Sequence, residues 1–425
     1  MLSRRAILGA AAGALWAVSR PNIVVLVSEG HAAEHVTPDA TPYLAALAAQ
    51  GLRMEAAFTP EALGSPSLSS LLTGLYPLRH GAFEEFSFAR RDLRFTWAHG
   101  FRDLGYRVTL AGIPQFGPRL AFPFEYQPLS SVQRYLRLRH EKPFCLVVSL
   151  PPLEEFAGDT MDVWAAPPYA VDTPATRRWM GRYRLALRGM DAWIGDVLPL
   201  AREAITVYTS AHGPALPFAK WSLYDAGIRV PLLLRWPGRV QPGVSRTLVS
   251  LVDVLPTLIE ACGGAPASLD GRSFLNVLAG RTAEHRDHVF AVLHNKGSVS
   301  GSDSPQRAVR TAQHKYILNL KHWNMFGNAW WRGNDGSDSR NPVRTPPPEL
   351  WREWMLRAAT DEHAQNRVGL WRSRPPEEFY DLAADPQELR NLAPDAPPSM
   401  SALRAALLDW MRSQQDPWLS FAEAV

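Results

Sequence analysis

Five short stretches of the chain are continuously apolar and rich in branched side chains: NIVVLVS (22–28), RVTLAG (107–112), FCLVVSL (144–150), ITVYTS (205–210) and VPLLLRW (230–236). Runs of this length without polar alternation predict strands buried on both faces. Between them, apolar residues recur at helical spacing in TPYLAALAAQG, in ATRRWMGRYRLALRGMDAWIGDVL and in LVDVLPTLIEACGG, which Gly263 is placed to stop. In GSPSLSSLLTG (64–74), Ser65 is placed to cap a helix, Pro66 suits its first position, and Leu68, Leu71 and Leu72 fall on one face. Buried strands alternating with helices predict an α/β fold: a parallel sheet covered by helices on both faces.

After about residue 285 the alternation stops. HVFAVLH, RAVRTAQHKYILNL and EEFYDL read as strands of a smaller antiparallel sheet, closed by a helix in MSALRAALLDWMRSQ. The expected organisation is an α/β domain over 21–284 and a C-terminal α+β subdomain over 285–425. A Trp-, Gly-, Asn- and Pro-rich excursion runs over 321–350; its tryptophans read as packing residues, with a sugar-stacking platform as the other reading. At the N-terminus, Arg4 and Arg5 precede a short Ala- and Gly-rich run, so 1–20 reads as an export signal of the twin-arginine type, with an ordinary leading helix as the alternative. Export predicts a periplasmic or extracellular protein with no transmembrane anchor.

Charge narrows the partners. A net +4 on 425 residues, without a Lys/Arg block or a basic stripe interleaved with aromatics, argues against nucleic acid. The two cysteines, Cys145 and Cys262, give neither a disulfide framework nor a metal-type spacing, and read as packing residues.

In an open parallel sheet, ligands bind where the strands end. The first strand ends at Ser28, Glu29, Gly30 and His31, the next at Gly112, Ile113, Pro114 and Gln115, the third before Glu154 and Glu155, and the fourth at Ala211, His212 and Gly213. A hard divalent cation takes six or more oxygen ligands, several of them carboxylates. Glu29 is the one carboxylate directly at these ends, with Glu154 and Glu155 available if their loop folds inward.

From Pro21 to about Pro394 the chain resembles the sulfatases of the alkaline phosphatase superfamily, and within them the bacterial proteins similar to N-sulfoglucosamine sulfohydrolase. The stretches that carry the resemblance are PNIVVLV, TPYLAALAAQGLRMEAAFT, SPSLSSLLTGLYPLRHG, LGYRVTLAG, PPYAVDTPATRR, YDAGIRVPLLLRWPG, VDVLPTLIEACGG, RAVRTAQHKYILNL and EEFYDLAADPQELRNLA, in the family's order. The resemblance implies an alkaline-phosphatase-like fold and sulfate ester or sulfamate hydrolysis through a formylglycine made from the Cys or Ser of a Cys/Ser-x-Pro-Ser-Arg stretch. Aligned through Pro66, that position is Gly64 and the motif's arginine is Leu68. The family's calcium ligands fall on Glu29, Gly30, Ala211 and His212, of which Gly30 and Ala211 offer no side-chain donor. Its lysine and histidine contacting sulfate and leaving group fall on Ile113 and Gln115. Lys220 matches a sulfate-contacting position intact, while His80 and Arg310 match positions near the substrate.

The reading that follows is a sulfatase-fold pseudoenzyme with no cofactor, binding a sulfated glycan, a small anion or a partner. Two alternatives stand beside it. One is a sulfate or phosphate ester hydrolase working through Ser65 or a water, with a calcium site rebuilt from Glu29, His212 and Glu154. The other is a non-catalytic subunit of an active sulfatase. Ser65 and Ser67 read first as helix-start residues, and His212 as a hydrogen-bonded histidine.

Overall fold

The computed structural model describes residues 20–85, 87–158, 160–265, 268–294, 303–324 and 348–424; of Glu154 and Pro348 it describes the backbone alone. The twin-arginine segment and nearly all of the Trp-rich excursion lie outside these residues. Eight strands form the main sheet: β1 (Ile23–Ser28), β2 (Leu52–Met54), β3 (Arg107–Gly112), β4 (Glu125–Gln127), β5 (Phe144–Ser149), β6 (Ile205–Ser210), β7 (Leu232–Arg235) and β8 (Gly243–Ser245). Their order across the sheet is β4-β3-β5-β1-β6-β7-β2-β8.

The fold is α/β as the hydrophobic pattern requires, with one difference in direction. The central strands β3, β5, β1 and β6 are mutually parallel, whereas β7 runs antiparallel to β6 and to β2. VPLLLRW is as continuously apolar as its neighbours, and burial on two faces, which sets that composition, is indifferent to strand direction.

Successive residues of β1 serve two cores. Val24 and Leu26 pack with Leu146, Val148 and Tyr208 beneath the helices Pro42–Gln50 (α1) and Pro174–Val197. Ile23, Val25 and Val27 pack with Cys145, Val147 and Val207 against the opposite face, where Leu68, Leu71 and Leu72 of Gly64–Thr73 (α2) and Leu255 and Leu258 of Val254–Ala261 lie. The 24-residue helix Pro174–Val197 (α3) is capped by Thr173, whose hydroxyl accepts the N–H of Thr176, and Asp191 on it accepts the first two N–H groups of α1 that follow Pro42. No helix among the described residues is long and apolar enough to cross a membrane.

The C-terminal region carries a separate four-stranded antiparallel sheet, Val289–Leu293, Gln306–Arg310, His314–Asn319 and Glu377–Asp381, in that order. The helix Pro398–Ser413 covers it through Leu403, Leu407 and Met411.

Both cysteines are buried and unbridged. The Trp97 indole N–H points at Cys145 Sγ (3.1 Å) and the Tyr106 hydroxyl at Cys262 Sγ (3.3 Å). Burial pushes the Cys145 thiol well above its ordinary pKa and the Cys262 thiol to about 11.

Candidate functional site

Register brings the ends of the four central strands level. Gly112 pairs with Ser149, Val27 with Ser149 and Ser28 with Ser210, so Glu29, Ile113 and Ala211 leave the sheet at one edge. At Gly112 a side chain is impossible: a Cβ there would stand 2.0 Å from the Ser149 carbonyl oxygen. The turn after β1 is pinned by Ser28 Oγ and His31 Nδ1, both on the Tyr208 hydroxyl (2.7 and 2.6 Å), and by the His31 N–H on Ser210 Oγ. Burial lowers the His31 pKa to about 3, so its ring is neutral.

Helix α2 meets this edge with its N-terminus. Its cap is the extended Leu63, which offers no side-chain acceptor, and the helix begins at Gly64. Ser65, expected as the cap, lies inside the first turn and is fully buried. The negative charge that this helix end favours comes from elsewhere: Glu85, whose carboxylate is held in its charged form in part by the Gly64 N–H.

Glu85 also forms an ion pair with Lys220, 2.8 Å from Nζ, with both side chains less than a tenth exposed. Burial pushes the Glu85 pKa up, and Lys220, His212 and the Gly64 N–H outweigh it, so the group stays ionised below the usual carboxylate range. Lys220 sits on a strained loop: Phe218 and Trp221 both have positive φ, and the Lys220 and Trp221 N–H groups are held by the carbonyls of Pro214 and Ala62. His212 donates from Nδ1 to the Gly213 carbonyl (2.7 Å), while its Nε2 is buried with no hydrogen-bond partner. Burial and Lys220 lower its pKa to about 3, leaving a neutral ring.

At the position where the family resemblance places a nucleophile, the space is filled by other side chains. A Cβ on Gly64 would lie 2.3 Å from Glu29 Oε1 and 2.8 Å from Gln115 Oε1. The structure thus brings Gly64, Glu29, Gln115, Lys220 and His212 together and adds Glu85. Leu68 is a core residue of the α2 face, and Ile113 is 40% exposed at the rim. Arg310 is engaged by Asp225 (3.1 Å) and lies over the Phe58 ring. His80 is fully buried: its Nδ1 accepts the Ala82 N–H, so Nε2 carries the proton and donates to Ser70 Oγ at 2.9 Å. In that tautomer it cannot take a proton from Ser70. Ser67 Oγ accepts from Thr59 Oγ1, a second hydroxyl committed to packing.

The donors near the calcium position do not fit a hard cation. Gly30, at φ +79°, would put a Cβ 3.5 Å from Leu153 Cδ1, so an apolar side chain occupies that corner. Ala211 is buried, and Glu155 is exposed to solvent. Among the described residues no group of three or more His, Cys, Asp or Glu side chains could hold a metal ion. Glu61, absent from the sequence reading, is fully buried nearby, and burial together with Glu84 and Glu85 pushes its pKa well above the carboxylate range. Neither Glu61 nor Glu85 stands in a motif; both acquire meaning through residues distant in sequence.

Comparison with known proteins places this geometry. The family model described as Sulfatase matches residues 21–118 and 128–264, and one described as N-sulphoglucosamine sulphohydrolase, C-terminal, matches 213–341. An ulvan-active sulfatase of Formosa agariphila is 30% identical over 407 residues, covering 88% of this chain and 76% of its own. Human N-sulphoglucosamine sulphohydrolase is 25% identical over 467 residues, covering 91% and 88%. A solved 2-O GAG sulfatase superposes with a TM-score of 0.72 at 18% identity, covering 95% of this chain and 94% of its own, a likeness of fold. A further solved protein, in complex with its substrate D-glucosamine-2-N,6-O-disulfate, gives a TM-score of 0.68 at 15% identity, covering 94% of this chain and 99% of its own. With more than half of its length matched by the family model, the chain belongs to the sulfatase family.

Proposed function

We propose that this sulfatase-family protein does not hydrolyse sulfate esters or sulfamates and instead binds an anionic group, as on a sulfated glycan, at the carboxyl edge of its sheet. The observation that carries this reading is Gly64: it has no side chain to become an aldehyde, and the carboxylate of Glu29 and the amide of Gln115 lie where that side chain would stand. The other catalytic roles are also unfilled. Gln115 does not titrate, Lys220 is neutralised by Glu85, and Gly30 and Ala211 offer no side-chain oxygen to a cation. Loss of one such group commonly costs a hundredfold or more in rate, and groups that work as a unit fail together.

The test is an assay of the purified protein on an aryl sulfate and on N-sulfoglucosamine, after co-expression with a formylglycine-generating enzyme. No turnover above background is expected, and no stoichiometric calcium by elemental analysis. Turnover that survives repurification and scales with protein, or about one calcium per chain, overturns the reading. Arg4 and Arg5 before the Ala- and Gly-rich run support export; a periplasmic or extracellular fraction should hold the protein.

A further inference from the structure

We infer that Glu85 is an internal occupant of the site: its carboxylate holds the position of a tetrahedral oxyanion, and an external sulfate group gains that position when Glu85 leaves it. The inference rests on the binding half of the reading above and names what regulates it.

Three groups converge on one small volume. The first-turn N–H of Gly64 carries the positive end of a ten-residue helix, Lys220 supplies a buried ammonium 2.8 Å from the carboxylate, and His212 is electrostatically coupled to both Glu85 and Lys220. A backbone N–H beside a buried cation is a cradle for oxygen anions generally, and a carboxylate satisfies it as a sulfate does. His212 shows that the carboxylate leaves the cradle incompletely used: the residue is 2% exposed, and its buried Nε2 has no hydrogen-bond partner. A sugar sulfate can bring a hydroxyl donor to that lone pair, which a carboxylate cannot.

The occupant also differs in kind from its cradle. Lys220, His212 and Gly64 are held by backbone hydrogen bonds, ring contacts and the core. Glu85 sits in a turn closed on itself: Ser87 Oγ accepts the N–H groups of Phe83 and Glu84 and donates to the Glu84 carbonyl. The chain is anchored on the far side by Ala89 on the Gly117 carbonyl and Arg90 on that of His80. In the open state of this inference the turn moves between these two anchors and takes the carboxylate with it. Phe88, two-thirds exposed beside it, shows that the turn lies at the surface.

If Glu85 holds the cradle in nearly all molecules, the apparent affinity for an external anion falls by the fraction that is open. The experiment is calorimetric titration of wild type, Glu85→Ala and Glu85→Ala/Lys220→Met with inorganic sulfate and, separately, with N-acetylglucosamine 6-sulfate. Glu85→Ala should bind at least one of them about tenfold or more tightly than wild type, and the double variant should lose the gain. The double variant also controls for the general stabilising action of sulfate, which acts on any folded protein. Should Glu85→Ala fail to fold, Glu85→Gln keeps the volume, drops the charge and should show a smaller gain in the same direction. A gain with both probes, or with inorganic sulfate alone, supports the inference and separates a sugar-borne group from a free anion. Equal binding by wild type and variant, a gain that survives Lys220→Met, or no gain in any variant overturns it. Turnover of an aryl sulfate by wild type would overturn the non-catalytic reading and leave this comparison standing.

Discussion

Two buried lysines make the same kind of contact for opposite reasons. Lys315, on the C-terminal sheet, is wholly buried and held by Asp225 (2.5 Å), by Glu388 (2.7 Å) and by the Leu223 carbonyl (3.1 Å). Its partners are themselves fastened: Asp225 also meets Arg310, and Glu388 takes the Asp225 N–H. Burial raises the Glu388 pKa to about 7, with Lys315 opposing and Asp225 adding to the rise. Lys220 is paired with the carboxylate of Glu85, which a surface turn delivers. A cation with two fixed carboxylates locks two regions together, whereas one with a removable carboxylate keeps a place for something else.

Removing each ammonium sharpens that contrast and gives the largest expected effect. Lys315→Met leaves Asp225 and Glu388 buried without their counter-charge and should cost about 3–5 kcal/mol in urea denaturation. Lys220→Met should cost about 1 kcal/mol, because the Glu85 turn can carry its carboxylate to water. Equal losses would place Glu85 among the fixed residues and break the comparison.

Smaller effects come from within the site. Gly64→Ala drives a Cβ into the Glu29 carboxylate and should destabilise by about 1–3 kcal/mol. The same change in a Glu29→Ala background should cost much less, a coupling readable in a double-mutant cycle. Without that coupling, Glu29 does not fill the space at Gly64.

His212 gives the smallest effect, and it depends on pH. Its pKa is about 3 folded and ordinary when unfolded, so the unfolded chain binds a proton that the native one refuses. Its contribution is therefore intact above about pH 6.5 and lost progressively as pH falls toward 3. Between pH 7 and 6, wild type should lose about 0.7 kcal/mol relative to His212→Gln in urea denaturation. Parallel pH profiles would mean that the ring is charged in the folded protein.

The sheet was legible because burial on two faces leaves a direct mark on composition: the five apolar runs are five of its strands, to within two residues at each end. The direction of β7 was not, since composition carries no sign for it. The start of α2 was misread at Ser65 for a related reason. A capping rule looks a few residues along the chain, and here the favourable negative charge arrives from Glu85 in GAFEEFSFAR, where two adjacent glutamates look like any solvated loop. Glu29, Gln115, Lys220 and His212 could be placed at one edge from strand ends and family resemblance. What fills the space between them depended on three-dimensional distances that no spacing encodes.

The two cysteines make the turn experimentally accessible. Each thiol is buried, turned toward an aromatic donor and pushed far from the thiolate form that maleimides and iodoacetamides attack. The folded protein therefore offers a silent background for covalent labelling. A cysteine introduced at exposed Phe88 becomes the sole reactive handle, and a fluorophore attached there reports the position of the neighbouring Glu85 turn as an anion is added.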